Sequence, residues 1–223
     1  MNISKRLKEI SKFVGKDSKV IDIGCDHAYL PIYLIENGIS KSAIAVDNKI
    51  GPLKNAQENI KKCGLENKIK TILSDGFKDV KNQDYDTIII SGMGGDTIKE
   101  ILDFSLINPS ASLILEPNNN QRELRLYLSL HSYKIIDEAF IRDGNHYYMI
   151  IEAIKSVDAI KYNELELTFG PINLINKEKE LIKTIESRLS LLKISEKLAK
   201  NKEKIKQDIK FYEEALNYVT KGN

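Results

Sequence analysis

Apolar residues recur along this 223-residue chain with more than one period, and the change of period divides it. Ile3, Leu7, Ile10 and Val14 stand 4, 3 and 4 apart, the spacing of one face of a short helix. Gly15 fits a C-cap position. Five short, nearly unbroken apolar runs follow, at residues 20–23, 43–46, 69–73, 87–90 and 113–115. Unbroken runs are what parallel strands show when both faces are covered. Helical patterns lie between most of them, at 29–36, 52–62, 96–104 and 122–130. Pro52 suits a first helical turn and Gly64 a helix end. The alternation predicts a parallel sheet with helices on both faces.

The alternation stops near residue 133. Two strand-patterned runs, 134–142 and 147–154, flank Asp143-Gly144, a hairpin signal. A five-stranded parallel sheet closed by an antiparallel pair is the pattern of the class I, Rossmann-like methyltransferase fold: a mostly parallel seven-stranded sheet in an α/β domain. A dinucleotide-binding fold would continue with parallel strands. After Phe169-Gly170-Pro171 no Gly or Pro appears until Gly222. Ile175, Glu178, Ile182, Ile185, Leu189 and Leu192 alternate at 3 and 4; the phase then slips, and Ile205, Ile209, Tyr212, Leu216 and Val219 resume it. Two amphipathic helices with a turn near residues 197–201 are expected, packed as an antiparallel, coiled-coil hairpin. One helix of about 45 residues would leave an apolar stripe uncovered. The expected domains are 1–160, the sheet, and 161–223, the helical hairpin.

Composition narrows the class. Cys25 and Cys63 cannot make a disulfide scaffold, and a reducing, cytoplasmic setting is expected. Apolar runs reach only a few residues, against the ~20 a membrane helix needs. The amino terminus carries alternating charge and no apolar signal core. The 34 basic and 32 acidic side chains nearly cancel, but unevenly. Residues 1–154 hold 20 basic and 21 acidic groups; residues 155–223 hold 14 and 11. Lysines at 193, 197, 200, 202, 204, 206 and 210 face only Glu196, Glu203 and Asp208 in that stretch. Such a run is either a solvated helix face or a phosphate-binding surface.

Chemistry-bearing residues follow the predicted strands, where an open parallel sheet binds its ligands. Asp22-Ile23-Gly24-Cys25-Asp26-His27 follows the first. Gly24 permits close backbone approach, but Asp26 stands where a pyrophosphate-binding loop needs a second glycine. A carboxylate there repels phosphate and suits a cation, which favours S-adenosylmethionine over NAD. Asp47 ends the second run, placed either to accept from ribose hydroxyls or to form a turn. Asp75 in Ser74-Asp75-Gly76 could accept from an adenine amine or simply belong to a β-turn. Ser91-Gly92-Met93-Gly94-Gly95 follows the fourth run, either letting a substrate ring approach or packing a helix tightly. The Asp/Asn-Pro-Pro-aromatic signature of exocyclic-amine methyltransferases is absent. Asn118, Asn119 and Asn120 follow the fifth run, as a base-edge reader or as a helix start capped by Asn120. His27, His131 and His146 are too dispersed for a metal site; His27 is either near the chemistry or a surface residue.

Assembled, these motifs resemble the bacterial family of tRNA adenine-N1 methyltransferases that act at adenine 22, the TrmK family. The resemblance rests on residues 22–31 (Asp-Ile-Gly-Cys-Asp-His-Ala-Tyr-Leu-Pro), 47–53, 92–95 (Gly-Met-Gly-Gly), 116–118 (Glu-Pro-Asn) and 169–171 (Phe-Gly-Pro), and spans essentially the whole chain. That family more often has Gln where Glu116 stands, which leaves the role of position 116 open. The resemblance implies S-adenosyl-L-methionine as donor and tRNA as partner; no metal and no obligatory protein partner are expected. Cofactor contacts are expected from Asp22, Gly24, Cys25, Asp47, Asn48, Asp75, Gly76, Ser91 and Gly92. Asp26 is the catalytic candidate, stabilising charge on the base or orienting the cofactor. His27, Met93, Gly94, Gly95, Asn118 and Asn119 would frame the base. Lys5, Lys8, Lys200, Lys204 and Lys206 would meet RNA backbone. A methyltransferase of another RNA or a small molecule, and a non-catalytic cofactor-binding module that recruits a partner, are the alternatives.

Overall fold

The computed structural model describes residues 1–80, 82–199 and 201–221. Seven strands form one sheet: β1 (Ser18–Ile23), β2 (Ser40–Asp47), β3 (Ile69–Leu73), β4 (Thr87–Met93), β5 (Ser112–Pro117), β6 (Tyr133–Asp143) and β7 (His146–Lys155). Their order is β3-β2-β1-β4-β5-β7-β6. The first five run parallel; β7 is antiparallel to β5, and β6 to β7. This is the Rossmann-like methyltransferase architecture expected from the pattern. The apolar runs are unbroken because successive residues serve two cores. Ile88 and Ile90 enter one cluster with Ile21, Ile23 and Leu113, while Ile89 enters the other with Val20, Ala45 and Ile114.

Helices α1 (Lys5–Lys12), α2 (Tyr29–Glu36), α3 (Ile50–Lys62), α4 (Gly95–Ile101) and α5 (Gln121–Leu130) flank the sheet. The α4 helix is shorter than its sequence pattern, because Asp103 Oδ1 takes the Ser105 N–H and turns the chain. Asn120 starts α5 in a left-handed conformation without a side-chain cap bond, its Nδ2 donating to Asp96 Oδ2 instead.

Four further helices form the tail: α6 (Glu164–Phe169), α7 (Pro171–Ile175), α8 (Lys179–Leu198) and α9 (Glu203–Lys221). The last two are antiparallel, since Leu181 and Ile185 of α8 share a cluster with Ala215 and Val219 of α9. That cluster includes Phe140 and Met149 of the β6–β7 hairpin, so the sheet itself seats the tail. Ile185 and Leu198 are 13 residues apart, so the turn of the pair stands roughly 20 Å beyond this seat. Ile175 does not belong to the α8 stripe; it ends α7 and is exposed.

A buried joint holds α6 and α7 to the sheet. Arg125 Nε donates to Glu138 Oε1 at 2.8 Å, with both side chains wholly buried. Its Nη1 donates to Leu167 O at 2.9 Å, and its Nη2 meets Met149 Sδ. Glu138 Oε2 accepts the N–H groups of Ile172 and Asn173. Gly170 has φ +94°, and a Cβ there would run into the Glu138 carboxyl. Pro171 sits at the first helical position, where no N–H is needed. The Phe-Gly-Pro motif is therefore the hinge that lets a sheet carboxylate cap a tail helix.

Candidate active site

The strand order reverses between β1 and β4, and ligand crevices of open α/β sheets form at such switch points. A cleft of about 650 Å³ opens there, lined by Gly24, Asp26, Asp47, Asn48, Asp75, Gly76, Met93 and others. A second cavity of about 240 Å³ contains Arg6, Asp22, Cys25, His27, Tyr29, Ser91 and Gly92, and shares Gly24 and Asp26 with the first. All nine expected cofactor contacts and Asp26 line one or the other.

The loop after β1 is bent hard. Gly24, Asp26 and Ala28 all have positive φ, at 79°, 47° and 56°. For the two non-glycine residues this costs about 1–2 kcal/mol each. The loop is pinned by one carbonyl, Val46 O, which accepts from Gly24 N at 2.8 Å and Cys25 N at 3.0 Å. Gly24 is favoured as glycine by its φ, and a Cβ there would also have to displace the terminal methyl of Met93. The bend exposes Asp26, leaves its Oδ2 3.5 Å from His27 Nε2, and stacks the His27 ring on Tyr29 at 5.1 Å.

Burial dominates the electrostatics of Asp22. It pushes the carboxyl up to about 7; Asp47 adds to the rise and Arg6 opposes it. Burial also pushes the Cys25 thiol well above its ordinary range, so it is not a thiolate nucleophile at neutral pH. Asp47 serves two purposes. Its Oδ1 accepts from Lys49 N at 2.9 Å in a turn, while the side chain still lines the cleft. Asp75 also belongs to a turn and pairs with Lys78 Nζ at 2.6 Å. The larger cleft is lined by Asp26, Asp47, Asp75, Glu100 and Asp103 against Lys49 and Lys78. That donor set suits hydroxyls, amines and cationic groups and repels a pyrophosphate, so it fits S-adenosylmethionine. Among the described residues no cluster of three or more His, Cys, Asp or Glu could hold a metal ion, and no helix is long and apolar enough to cross a membrane.

The glycine loop divides by position. Ser91 and Gly92 line the smaller cavity and Met93 the larger. Gly94 and Gly95 line neither; a Cβ on Gly95 would stand 2.7 Å from Asn119 O, so tight helix packing accounts for it. Asn118 and Asn119 also line neither cavity. Asn118 Nδ2 donates to Gly92 O at 2.8 Å, and Asn119 Oδ1 accepts from Gly95 N at 3.2 Å, so both amides brace the loop.

The structure brings to the site three residues to which the motifs assigned no role. Tyr29 is exposed beside His27, and its signal was its place within the same motif. Arg6 arrives from α1, and Glu116 from β5: Arg6 Nη1 donates to Glu116 Oε2 at 2.6 Å, and Gly92 N to the same oxygen at 2.8 Å. Lys5 Nζ donates to Arg142 O, and Lys8 Nζ to Asn2 Oδ1. Lys204 and Lys206 are exposed on the first turns of α9; Lys200 lies outside the described residues.

Residues 3–151 match a family model described as methyltransferase domain. The chain is 32% identical over 187 residues to the tRNA (adenine(22)-N(1))-methyltransferase of Bacillus subtilis, covering 82% of this chain and 78% of that one. Streptococcus pneumoniae Sp1610 in complex with S-adenosyl-L-methionine superposes with a TM-score of 0.87 at 30% identity, over 96% of this chain and 100% of that one. M. capricolum TrmK in complex with S-adenosyl-homocysteine superposes at 0.79 and 36% identity, over 98% and 96%.

Proposed function

The chain belongs to the family of tRNA (adenine(22)-N(1))-methyltransferases, and from that premise we propose how its own residues transfer a methyl group from S-adenosylmethionine to N1 of adenine 22 in tRNA. The observation that carries the assignment is the carboxylate-lined cleft at the switch point, which suits a cationic cofactor without phosphate, in a chain that matches this family over sheet and tail alike.

The cofactor supplies an electrophilic sulfonium methyl: the N1 lone pair forms the new N–CH3 bond, the S–CH3 bond breaks, and S-adenosylhomocysteine leaves. Unprotonated N1 needs no general base, so positioning and desolvation supply most of the rate. Asp47 accepts from the ribose hydroxyls and Asp75 from the adenine amine of the cofactor. The methylated adenine is a cation, and Asp26, exposed between the two cavities, stabilises that charge as it develops. N1 lies on the pairing edge, so the base must leave its stack. The His27–Tyr29 pair beside Asp26 offers a face for it. Lys5 and Lys8 of α1, with Lys204 and Lys206 at the start of α9, grip the phosphate backbone.

The reading is tested by incubating the protein with unmodified tRNA and methyl-labelled donor. Label recovered as N1-methyladenosine is expected; no label in RNA overturns it. Reversing Lys204 and Lys206 to Glu should weaken tRNA binding and flatten its salt dependence by about one unit of slope per lysine. Unchanged affinity at low salt would remove the tail from the RNA interface.

A further inference from the structure

The β6–β7 hairpin is longer than the strand it is laid against. β5 pairs with β7 from Leu113 and Ala153 to Leu115 and Ile151, whereas β6 and β7 stay paired out to Asp143 and His146. Residues 139–143 and 146–150 thus form a two-stranded ribbon that overhangs that pairing. Because β7 runs antiparallel to β5, the ribbon stands on the side of the sheet where the parallel strands end and both cavities lie. A free two-stranded ribbon is marginal in water, and this one is braced on both faces. On one, Asp143 Oδ2 accepts from Arg6 N, and Arg6 Cζ lies 5.7 Å from the Tyr148 ring centroid. On the other, Phe140 and Met149 join Leu181 of α8 and Val219 of α9.

Arg142 and Tyr147 are cross-strand partners on that second face, one pleat beyond Phe140 and Met149. The bracing stops short of them: Tyr147 is 46% exposed, and Arg142 is exposed as well. The Tyr147 ring stacks on Phe140 at 5.4 Å and 20°, and Arg142 Cζ lies 5.8 Å from its centroid. Phe140 and Arg142 both belong to β6. On the other side of Tyr147, β5 no longer pairs with β7, so no strand stands beside it there. Arg142 Nε is tied to Gly144 O at 3.0 Å, while its Nη1 and Nη2 have no hydrogen-bond partner among the described residues. The start of α8 adds charge. Glu180 lies in the field of Lys183, Arg142 and Lys179. Lys183 pairs with it, whereas Arg142 and Lys179 have no ion-pair partner among the described residues.

We propose that Tyr147 stacks an unpaired base of the tRNA while Arg142 and Lys179 take the phosphates beside it, a nucleotide subsite separate from that of the methylated adenine. This rests on tRNA being the substrate, and goes beyond it by naming where a base other than the target is held. Tyr147 lines neither cavity, so the base it receives is not the one that meets Asp26. An exposed aromatic face flanked by cations is how proteins hold single-stranded nucleotides: every base has a face to stack, and the cations take the backbone. A lone exposed tyrosine would carry no such meaning. Here Phe140 sets the ring before RNA arrives, which lowers the ordering cost of binding. The ribbon is also tied to α1, where Lys5 Nζ donates to Arg142 O at 2.7 Å. A nucleotide seated on it therefore lies between the lysines of α1 and the start of the tail pair.

The chain contains no Trp, so Tyr147→Trp introduces a single indole at the tip of the ribbon. Titrated with unmodified tRNA, its fluorescence should fall in step with binding. A fully paired RNA duplex, which offers phosphates but no free base, should bind without quenching it. Tyr147→Ala should weaken tRNA binding roughly 5–100-fold with its salt dependence unchanged, the loss of one stacked base. Tyr147→Phe keeps the ring and should bind as the wild-type protein does. Arg142→Gln should instead lower the salt slope by about one unit. Constant indole fluorescence at saturating tRNA overturns the proposal, as does wild-type affinity in Tyr147→Ala. Equal quenching by duplex and tRNA overturns it too, because nearby phosphate would then suffice. Should Tyr147→Ala or Tyr147→Trp fail to fold, the other decides. A wild-type protein that binds no tRNA is a different result, overturning the substrate assignment and the proposal with it.

Discussion

Glu116 and Glu138 are both buried carboxylates facing an arginine, one behind Arg6 and Gly92 of the smaller cavity and one at the joint between sheet and tail. Burial pushes both carboxyls above their ordinary range, with the facing arginine opposing the rise. The difference lies in completeness. Arg125 is sealed at 0% exposure, with Glu138, Leu167 O and Met149 around it, and Glu138 spends its second oxygen on the start of α7. Arg6 is partly open, with two donors spare, and Glu116 has an oxygen left over. A polar network that closes on itself fastens elements together; one left open on the side of a cavity is set for something that arrives later. The same pair of residue types thus serves as a rivet in one region and as part of a receptor in the other.

The comparison breaks most decisively at the sealed pair. Arg125→Ala leaves Glu138 buried without its cation and should cost about 3–5 kcal/mol in unfolding free energy by denaturant titration. A loss under about 1 kcal/mol would mean the joint is not sealed. Asp22→Asn comes next, with the opposite sign. The folded carboxyl is raised from 3.8 to about 7, so its contribution to stability is fully present below about pH 4 and is lost as pH rises through 7. At pH 8 without ligand, Asp22→Asn should therefore be more stable than the wild-type protein by about 2–4 kcal/mol, the advantage vanishing near pH 4. Thermal denaturation across that range checks it, and a pH-independent difference would contradict it. Asp47→Ala should weaken cofactor binding by roughly 10–30-fold, the loss of hydrogen bonds to a charged acceptor. Wild-type affinity by calorimetry would refute the ribose role. The smallest effect belongs to the open pair: Glu116→Gln should change unfolding free energy by no more than about 1 kcal/mol, because Arg6 retains access to water. A loss as large as that of Arg125→Ala would erase the distinction between the two regions.

The sheet was legible in the sequence because residues such as Ile88, Ile89 and Ile90 face two cores in turn, leaving a run no loop would carry. The strand-end carboxylates Asp22, Asp47 and Asp75 were legible for the same reason: once the strands are placed, their ends are placed. The α6 and α7 helices were not, being six and five residues long and held by Glu138 from another element rather than by a period of their own. Arg6 was hidden among the basic residues of the polar face of α1, and only the docking of that helix distinguishes it from Lys5 and Lys8. Asn118 and Asn119 looked like base readers by chemistry, yet the backbone of the glycine loop takes their hydrogen bonds. Local sequence places backbone elements; which distant partner a polar side chain finds is a property of the assembled fold.

Where the methyl group lands is the most direct test. A tRNA transcript with adenine at position 22 and a second transcript with guanine there should be incubated with the protein and donor, then read by reverse transcription, which halts at a base blocked on its pairing edge. A halt at position 22 of the first transcript and none on the second is the expected result. A halt elsewhere, equal halts on both, or none on either would contradict it.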